Sequence, residues 1–317
     1  MKLREIYDLA IEAGIEHDPR GKAEVDKLLS KRKEAFDGLK DEEKEFFDID
    51  SLKNPYADTR ILAGDPDMEV TGILAGIDIE VQEVVLADRL REKGEKIDLL
   101  LAHHPEGKAL AGLSDVMAMQ ADIWAKLGVP INIGDVLIDE RMGEVRRSLM
   151  PINHNRAIDA AKLLTFSLMS CHTPCDNLVN EFVQKYLDEK SPETLGDVVK
   201  VLREIPEYKA AAFDKAGPTI LVGDSNKRTG KIVVDMTGGT EGPEGAIEKL
   251  ADAGVGTIVG MHLGDKLRKK ASESHINVVI AGHIASDAIG MNLFLDRLKE
   301  KGISIITTSG LMRVEHS

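Results

Sequence analysis

Two adjacent histidines, His103 and His104, stand at the end of an apolar run and are followed at once by Pro105. The run, 97–102, has the composition of a buried strand. Successive side chains of a strand point to opposite faces, so both histidines can serve one site only if the strand ends before them. Imidazole is the commonest metal ligand in proteins, and open α/β sheets bind ligands beyond the carboxyl ends of their strands. By itself, the pair fits either a metal site or a strand end whose polar groups are satisfied locally.

Two later segments, 171–176 and 282–287, each place a histidine four residues before an aspartate. The pairs are His172 with Asp176 and His283 with Asp287. This spacing stacks two side chains on one face of a helix. The aspartates also fit plain helix starts, where an acid in the first turn stabilises the helix by about 0.3–1 kcal/mol. Helix capping does not explain why three predicted strand ends each carry a histidine or a carboxylate.

A glycine-rich turn with Gly238, Gly239 and Gly242 lies between a predicted strand and a predicted helix. Glycines allow backbone N–H groups to approach a phosphate at the N-terminus of the following helix. The same glycines fit an ordinary tight turn. The turn is therefore only a candidate phosphate contact.

Three further side chains are candidates for a catalytic or supporting role. His172 could fix a metal ligand or polarise the substrate, and is otherwise a structural histidine. Glu241 is the nearest candidate general base, whereas His262, which ends another predicted strand, fits a core position better.

Cys171 and Cys175 together with His172 suggest a rival mononuclear zinc site. Three ligands within five residues, with a proline between them, would make that site cramped.

The pattern of helices and strands that must position these residues predicts an α/β protein. Residues 1–50 have the charged, amphipathic pattern of a peripheral helical hairpin. From about residue 68, apolar strands alternate with helices, and the second half repeats this alternation. Strands are predicted at 70–77, 99–102, 129–133, 231–236, 257–261, 277–281 and 303–307. Helices are predicted at 81–91, 113–127, 154–169, 243–253 and 286–301, of which 154–169 is apolar almost all round.

The composition argues against several classes of protein. The chain has 317 residues and a formal net charge of -14, which opposes binding to nucleic acid or to an anionic membrane surface. No apolar run reaches the roughly 18 residues that a membrane span needs, and the N-terminus lacks the pattern of a signal peptide. Two cysteines are too few for a disulfide framework. We therefore expect a cytoplasmic protein whose partner is a small molecule.

The three histidine-bearing segments, 101–105, 172–176 and 282–287, resemble in this order the Nif-three-like family, that of NGG-one-interacting factor three. Its members are also known as GTP cyclohydrolase 1 type 2 homologues. The similarity runs from about residue 68 to 312. It implies two related α/β lobes with mixed sheets that face each other across a metal-binding cleft, and assembly into a toroidal hexamer. It also implies a dinuclear metal site with the ligands His103, His104, Asp176, His283 and Asp287.

The sequence departs from the family pattern at several points. The last ligand is usually glutamate, where this chain has Asp287, and the family's asparagine-leucine before the first aspartate is replaced by Pro174 and Cys175. The connection from Pro105 to Cys171 is long. We expect residues 1–60 to form a helical N-terminal extension. Residues 61–317 would form the Nif-three-like domain, with a boundary between its lobes at about 188–216.

These residues predict a pair of divalent ions, zinc, iron or manganese, with Asp176 as the bridging ligand. The favoured function is a metal-dependent hydrolase that acts on a small phosphorylated or nucleotide-like substrate. One alternative is a non-catalytic metal-binding protein that delivers metal or serves as a regulatory scaffold. Another is an assembly protein in which the metals only hold the lobes together.

Overall fold

The computed structural model describes residues 1–316 and shows a mixed α/β fold with two sheets. The chain begins with three helices and a 3-10 turn, α1 (Leu3–Glu16), α2 (Lys22–Asp37), α3 (Asp41–Lys44) and Ile49–Leu52. The first lobe follows with β1 (Arg60–Ala63), β2 (Gly72–Gly76), α4 (Val81–Glu92), β3 (Leu99–Ala102), α5 (Gly107–Ala111), α6 (Leu113–Val116), α7 (Met119–Leu127), α8 (Ile131–Leu149), α9 (Arg156–Leu163), β4 (Ser167–Ser170) and α10 (Thr173–Lys190). The remaining elements are α11 (Leu195–Leu202), α12 (Pro206–Phe213), β5 (Thr219–Val222), β6 (Lys231–Asp235), α13 (Glu244–Asp252), β7 (Val255–Gly260), α14 (Asp265–Glu273), β8 (Asn277–Ile280), α15 (His283–Glu300) and β9 (Ser304–Thr308).

The two sheets repeat one topology, which confirms the predicted pair of related lobes. The first has the strand order β1-β4-β3-β2-β9 and the second the order β5-β8-β7-β6. In each, three strands run parallel and a short edge strand, β1 or β5, pairs antiparallel with the last of them. The final strand, β9, returns from the second lobe and pairs with β2 in the first sheet. The first lobe therefore contains a strand from the C-terminal end of the chain.

Parallel pairing brings the carboxyl ends of the strands to one edge of each sheet. In the first sheet, Gly76 pairs with Ala102, which in turn pairs with Ser170. These three strands are buried along their whole length, as expected for parallel strands covered on both faces. The residues that follow each strand therefore meet at a common edge, where open α/β sheets bind their ligands.

Helices α10 and α15 pack against each other between the lobes. Their backbones approach so closely that a Cβ at Gly290 would collide with the carbonyl oxygen of Cys175. The first turn of α10 therefore lies against the middle of α15, and both helices begin at the shared edge of the sheets. This contact brings a side chain from each helix start to the same place.

Most predicted strands and helices are confirmed to within two residues, but two predictions are wrong. Residues 129–133 are not a strand, because α8 begins at Ile131 and buries Gly134, Ile138 and Val145 along one helical face. The helix predicted at 154–169 ends at Leu163, and its last residues form β4. Thr165 has a positive φ of 58°, which a helix does not tolerate, and so separates the two elements.

The N-terminal helices pack on the α/β part of the molecule, where α1 lies against α10. Residues 188–216, where the sequence suggests a boundary between lobes, contain α11 and α12, and α11 is buried along one face. The division at residues 60 and 61 stays a prediction. Within residues 1–316, no helix is both long and apolar enough to cross a membrane.

Candidate metal centre

Strand ends and helix starts bring the five predicted ligands together. His103 and His104 follow β3 directly, and Asp176 lies in the first turn of α10. Helix α15 begins at His283, three residues earlier than predicted, so His283 and Asp287 are successive members of one helical face. Three overlapping groups of side chains offer ligand atoms within 4.8 Å of one another. These groups are His103 with His104 and His172, His104 with His283 and Asp287, and His103 with Asp176 and Asp287.

Asp287 lies at the centre of these side chains. Its Oδ1 is 3.4 Å from Nε2 of His103, and its Oδ2 is 3.3 Å from Nε2 of His104 and 3.5 Å from Nε2 of His283. Asp176 is placed at one side, with Oδ1 3.4 Å from Nε2 of His103. Asp287, rather than Asp176, is therefore the carboxylate that faces all three predicted histidine ligands.

Three of the imidazoles next to the carboxylates are fixed through their other nitrogen. Nδ1 of His103 bonds to the carbonyl oxygen of Cys171 at 3.2 Å, Nδ1 of His104 to Asp78 at 2.7 Å and Nδ1 of His172 to Asp58 at 2.8 Å. This arrangement fixes the tautomer and turns each Nε2 toward the centre, which is how proteins orient metal-binding histidines.

The buried atoms at the centre fit a cation. Among residues 1–316, Nε2 of His103 and both carboxylate oxygens of Asp287 are buried without a hydrogen-bond partner. Leaving such groups unpaired is costly, and so they are rare in native proteins. Imidazole nitrogens and carboxylate oxygens are also the donors that zinc, iron and manganese accept. The donor set, and the atoms left open in it, could therefore hold a metal ion.

Without metal, the same contacts shift the ionisation of the site. Burial alone would raise the pKa of Asp287, but the nearby imidazoles of His103 and His104 hold it well below the usual range. Burial would lower the pKa of His104, yet the nearby carboxylates of Asp287 and Asp78 raise it to about 9. The pKa of buried His103 is also raised, by Asp287 and Asp176. By contrast, burial lowers the pKa of His283.

We expect metal binding near neutral pH to release at least one proton, because His104 has a pKa of about 9 without metal and only neutral imidazole binds a metal. Metal affinity should rise with pH up to about 9, the pKa of His104. The charged imidazoles stabilise the metal-free fold below their unfolded pKa of about 6.5, and this stabilisation is lost as pH rises through the folded values. Calorimetric titration with Zn²⁺ in buffers of different ionisation enthalpy counts the protons; a count near zero at pH 7 would contradict this expectation.

Sequence reasoning missed the two carboxylates that hold the histidines. Asp78 follows β2, so it stands at a strand end and the rule that found His103 could have found it. Asp58 is fully buried and also accepts a hydrogen bond from Thr173, but it precedes β1 in a segment without a recognisable motif. His172, a candidate catalytic residue, is brought to the centre by Asp58.

The other candidates lie on the second lobe. Glu241 accepts hydrogen bonds from Nδ1 of His262 and from the backbone N–H of Gly264. The His262 ring lies 4.7 Å from that of His283, centroid to centroid, so His262 belongs to the cleft rather than to the core. The Glu241 carboxylate thus orients an imidazole beside the predicted ligands.

The glycine-rich turn is shaped by the helices that it contacts. Gly238 and Gly239 have positive φ, and a Cβ at Gly238 would lie 2.7 Å from Cγ of Gln120. The Gln120 amide donates hydrogen bonds to the carbonyl oxygens of Gly238 and Thr240. A Cβ at Gly242 would also lie 2.7 Å from Oε1 of the Gln120 side chain. Close packing therefore accounts for these glycines, and the phosphate contact stays a prediction.

The rival cysteine site is not favoured. Sγ of Cys171 lies 3.4 Å from Sγ of Cys175, but both thiols are buried and burial raises the pKa of Cys175. Nδ1 of His172 is bound to Asp58. Within residues 1–316, none of the groups able to hold a metal includes a cysteine.

Comparisons with known proteins show which solved structures share this fold. No protein-family model matches the sequence, and no curated protein does. The crystal structure of a NIF3 superfamily protein from Sphaerobacter thermophilus aligns with a TM-score of 0.71 and 26% identity, covering 80% of this chain and 92% of that chain. Reduced HcgD from Methanocaldococcus jannaschii aligns with a TM-score of 0.49 and 17% identity, covering 84% and 94%. The Staphylococcus aureus hypothetical protein SA1388 aligns with a TM-score of 0.44 and 17% identity, covering 82% and 93%.

The likeness to the Sphaerobacter protein extends over both lobes and agrees with the motifs that first suggested the family. The two sheets, the paired helix starts and the cluster of histidines and aspartates occur together in one chain. The fold and the motifs together support a Nif-three-like family, the NIF3 superfamily, for this chain.

Proposed function

We propose that this protein binds two divalent metal ions and acts as a metal-dependent hydrolase of a small molecule. The observation that carries the proposal is the buried Asp287 carboxylate, whose unpartnered oxygens face three imidazoles. A carboxylate in this position suits a ligand shared by two ions. We therefore propose Asp287 as the shared ligand in place of Asp176.

The remaining ligands divide between two positions in this proposal. His104 and His283 would hold one ion and His103 and Asp176 the other. A bound pair of cations supplies Lewis acidity and lowers the pKa of water. Around it, Asp58 and Asp78 keep the imidazoles oriented, and His172 stands 3.7 Å from Oδ2 of Asp176, where it can support that carboxylate.

A substrate could reach one side of the metal centre through the cleft. Asp176, His283 and Asp287 line it, and His283 is 40% exposed at its side chain. An open approach beside the ligands is what distinguishes catalytic from structural metal sites. The same exposure would allow metal to exchange, so metal delivery is the second candidate function.

The test combines metal analysis with activity screening. Purified wild-type protein, Asp176→Ala and the control Asp188→Ala, an exposed acid on the same helix, are assayed for bound metal and for hydrolysis of nucleotides, phosphoesters, esters and amides. We expect Asp176→Ala to lose metal and at least about 100-fold in activity, because outer partners of ligands alone are worth 10–100-fold. Asp188→Ala should match wild type. Metal binding without turnover of any compound would favour metal delivery instead.

Assembly is part of the proposal as well. Several large apolar side chains are exposed on the single chain, which a subunit interface would cover. They include Phe46, Val136, Met150, Leu163 and Phe213. We propose a homo-oligomer, a hexamer by resemblance, which light scattering on the purified protein would detect.

A further inference from the structure

The cleft beside the metal centre is lined by apolar and polar side chains, and the apolar ones form one wall. It encloses about 100 Å³ and is formed mainly by the second lobe, with one contribution from α7. The apolar side chains include Trp124, Met236, Ile247, Ile258, Met261 and Leu267. A wall of this kind binds a ring or a short aliphatic body by excluding water from it.

The wall is held in place before any ligand arrives. The Gln120 amide ties Gly238 and Thr240 to α7, and the aromatic ring of Trp124 packs against Gly242 at the mouth of the same turn. Trp124 is only 5% exposed. Preorganised walls of this kind favour binding because little freedom remains to be lost.

Four acids and three histidines line the cleft. Besides Asp176 and Asp287 at the metal centre, Asp235 and Glu241 line it, and no lysine or arginine of residues 1–316 does. Asp235 ends β6 and makes no side-chain hydrogen bond or ion pair within the described chain. Glu241 is held by His262 and by the backbone of Gly264.

Away from the metal positions, a phosphorylated molecule would meet Asp235 and Glu241, and no lysine or arginine in the lining would offset its charge. An amino or amidino group, in contrast, would find two carboxylates next to an apolar wall of ring size. We infer that the cleft takes a substrate with an apolar, ring-sized body that carries an amino or amidino group. The inference deepens the proposed hydrolase function and rests on it only in calling the bound molecule a substrate.

The fluorescence of Trp124, the only tryptophan of the chain, reports on this cleft. Benzylamine, benzyl alcohol and benzyl phosphate share one ring and differ in charge, and none absorbs where tryptophan is selectively excited. Each is titrated into the full-length protein, as purified and after chelation of metal. In the chelated protein we expect benzylamine to bind about threefold to fivefold more tightly than benzyl alcohol, as for a partly exposed charge pair. Benzyl phosphate should bind more weakly than both.

Two substitutions test whether the preference for benzylamine depends on the charge of the cleft rather than on its shape. Asp235→Asn and Glu241→Gln should each reduce the preference for benzylamine over benzyl alcohol by about threefold or more, with benzyl alcohol itself bound as in wild type. Asp252→Asn, at an exposed acid on the neighbouring helix α13, is the control and should keep the full preference. Calorimetric titration checks the affinities independently of fluorescence.

The outcomes separate the two proposals. Benzyl phosphate bound as tightly as benzylamine in the chelated protein, or no response to any of the three compounds, would overturn the inference. The same holds if both substitutions leave the preference unchanged. If the wild-type protein shows no hydrolysis or no bound metal in the earlier test, with the benzylamine preference intact, the hydrolase is rejected and the cleft assignment is kept.

Discussion

The Asp287→Asn variant is expected to lose bound metal, with affinity reduced by more than about 100-fold, since the loss of outer partners of ligands alone costs 10–100-fold. Asparagine has nearly the same shape, but its amide nitrogen cannot serve as a ligand and its oxygen faces only part of the site. Asp287 is 1% exposed, and its oxygens face His103, His104 and His283. Removing its charge should therefore affect both metal positions together.

Elemental analysis of the purified variant measures the effect. Glu300→Gln, at the exposed end of the same helix, is the matched control and should retain the wild-type metal content. Circular dichroism is needed to show that both variants are folded. If folded Asp287→Asn keeps two ions per chain, the carboxylate is not the shared ligand, and the assignment of the whole centre fails with it.

The second large effect is expected from Tyr56→Ala, which should lower the free energy of unfolding by about 3–5 kcal/mol, as for other aromatic side chains removed from a core. Tyr56 is fully buried, in the core that joins α1 to the first sheet and α15. Its hydroxyl donates to Oδ2 of Asp18 at 2.9 Å and accepts from Nδ2 of Asn177 at 3.3 Å. Asn177 follows Asp176 directly, so the variant should also bind metal more weakly.

Urea denaturation measures the change in stability. Tyr56→Phe keeps the ring and should cost only about 1–3 kcal/mol, the penalty for leaving the buried polar partners of the hydroxyl unpaired. Tyr186→Ala removes the same side chain from a half-buried position on α10 and serves as the control, with a smaller expected loss. Equal stability of Tyr56→Ala and wild type would show that the N-terminal helices are not part of the core.

Much of the fold could be predicted because local patterns in the sequence mark the central strands. Leu99–Ala102 is a short apolar run that two histidines and a proline follow, so its C-terminal end is visible in the composition. The strand at Ser167–Ser170 has no such signal, because its serines and its position after a helix imitate a continuing helical pattern. The edge strands β1 and β5 were not found either. Each is four residues long and pairs with only one neighbour, so tertiary contacts rather than local pattern determine them.

The candidate site, like the fold, could be predicted only in part. Histidines at strand ends were visible in the sequence, and the structure brings His103, His104, Asp176, His283 and Asp287 together. Which carboxylate faces all three histidines depends on how α15 packs on α10, and spacing does not contain that information. The anchors Asp58 and Asp78 depend on contacts across 114 and 26 residues of chain. Their role follows only from the folded arrangement.

The return of β9 to the first sheet has a consequence for biosynthesis. The ribosome delivers β2 long before Ser304–Thr308, so one edge of β2 must wait unpaired while the second lobe is made. Asp287 also emerges late, only after both histidines of β3 have left the ribosome. The first lobe therefore completes its sheet only after the second lobe has been made, and any metal ion that needs Asp287 as a ligand could bind only at that stage.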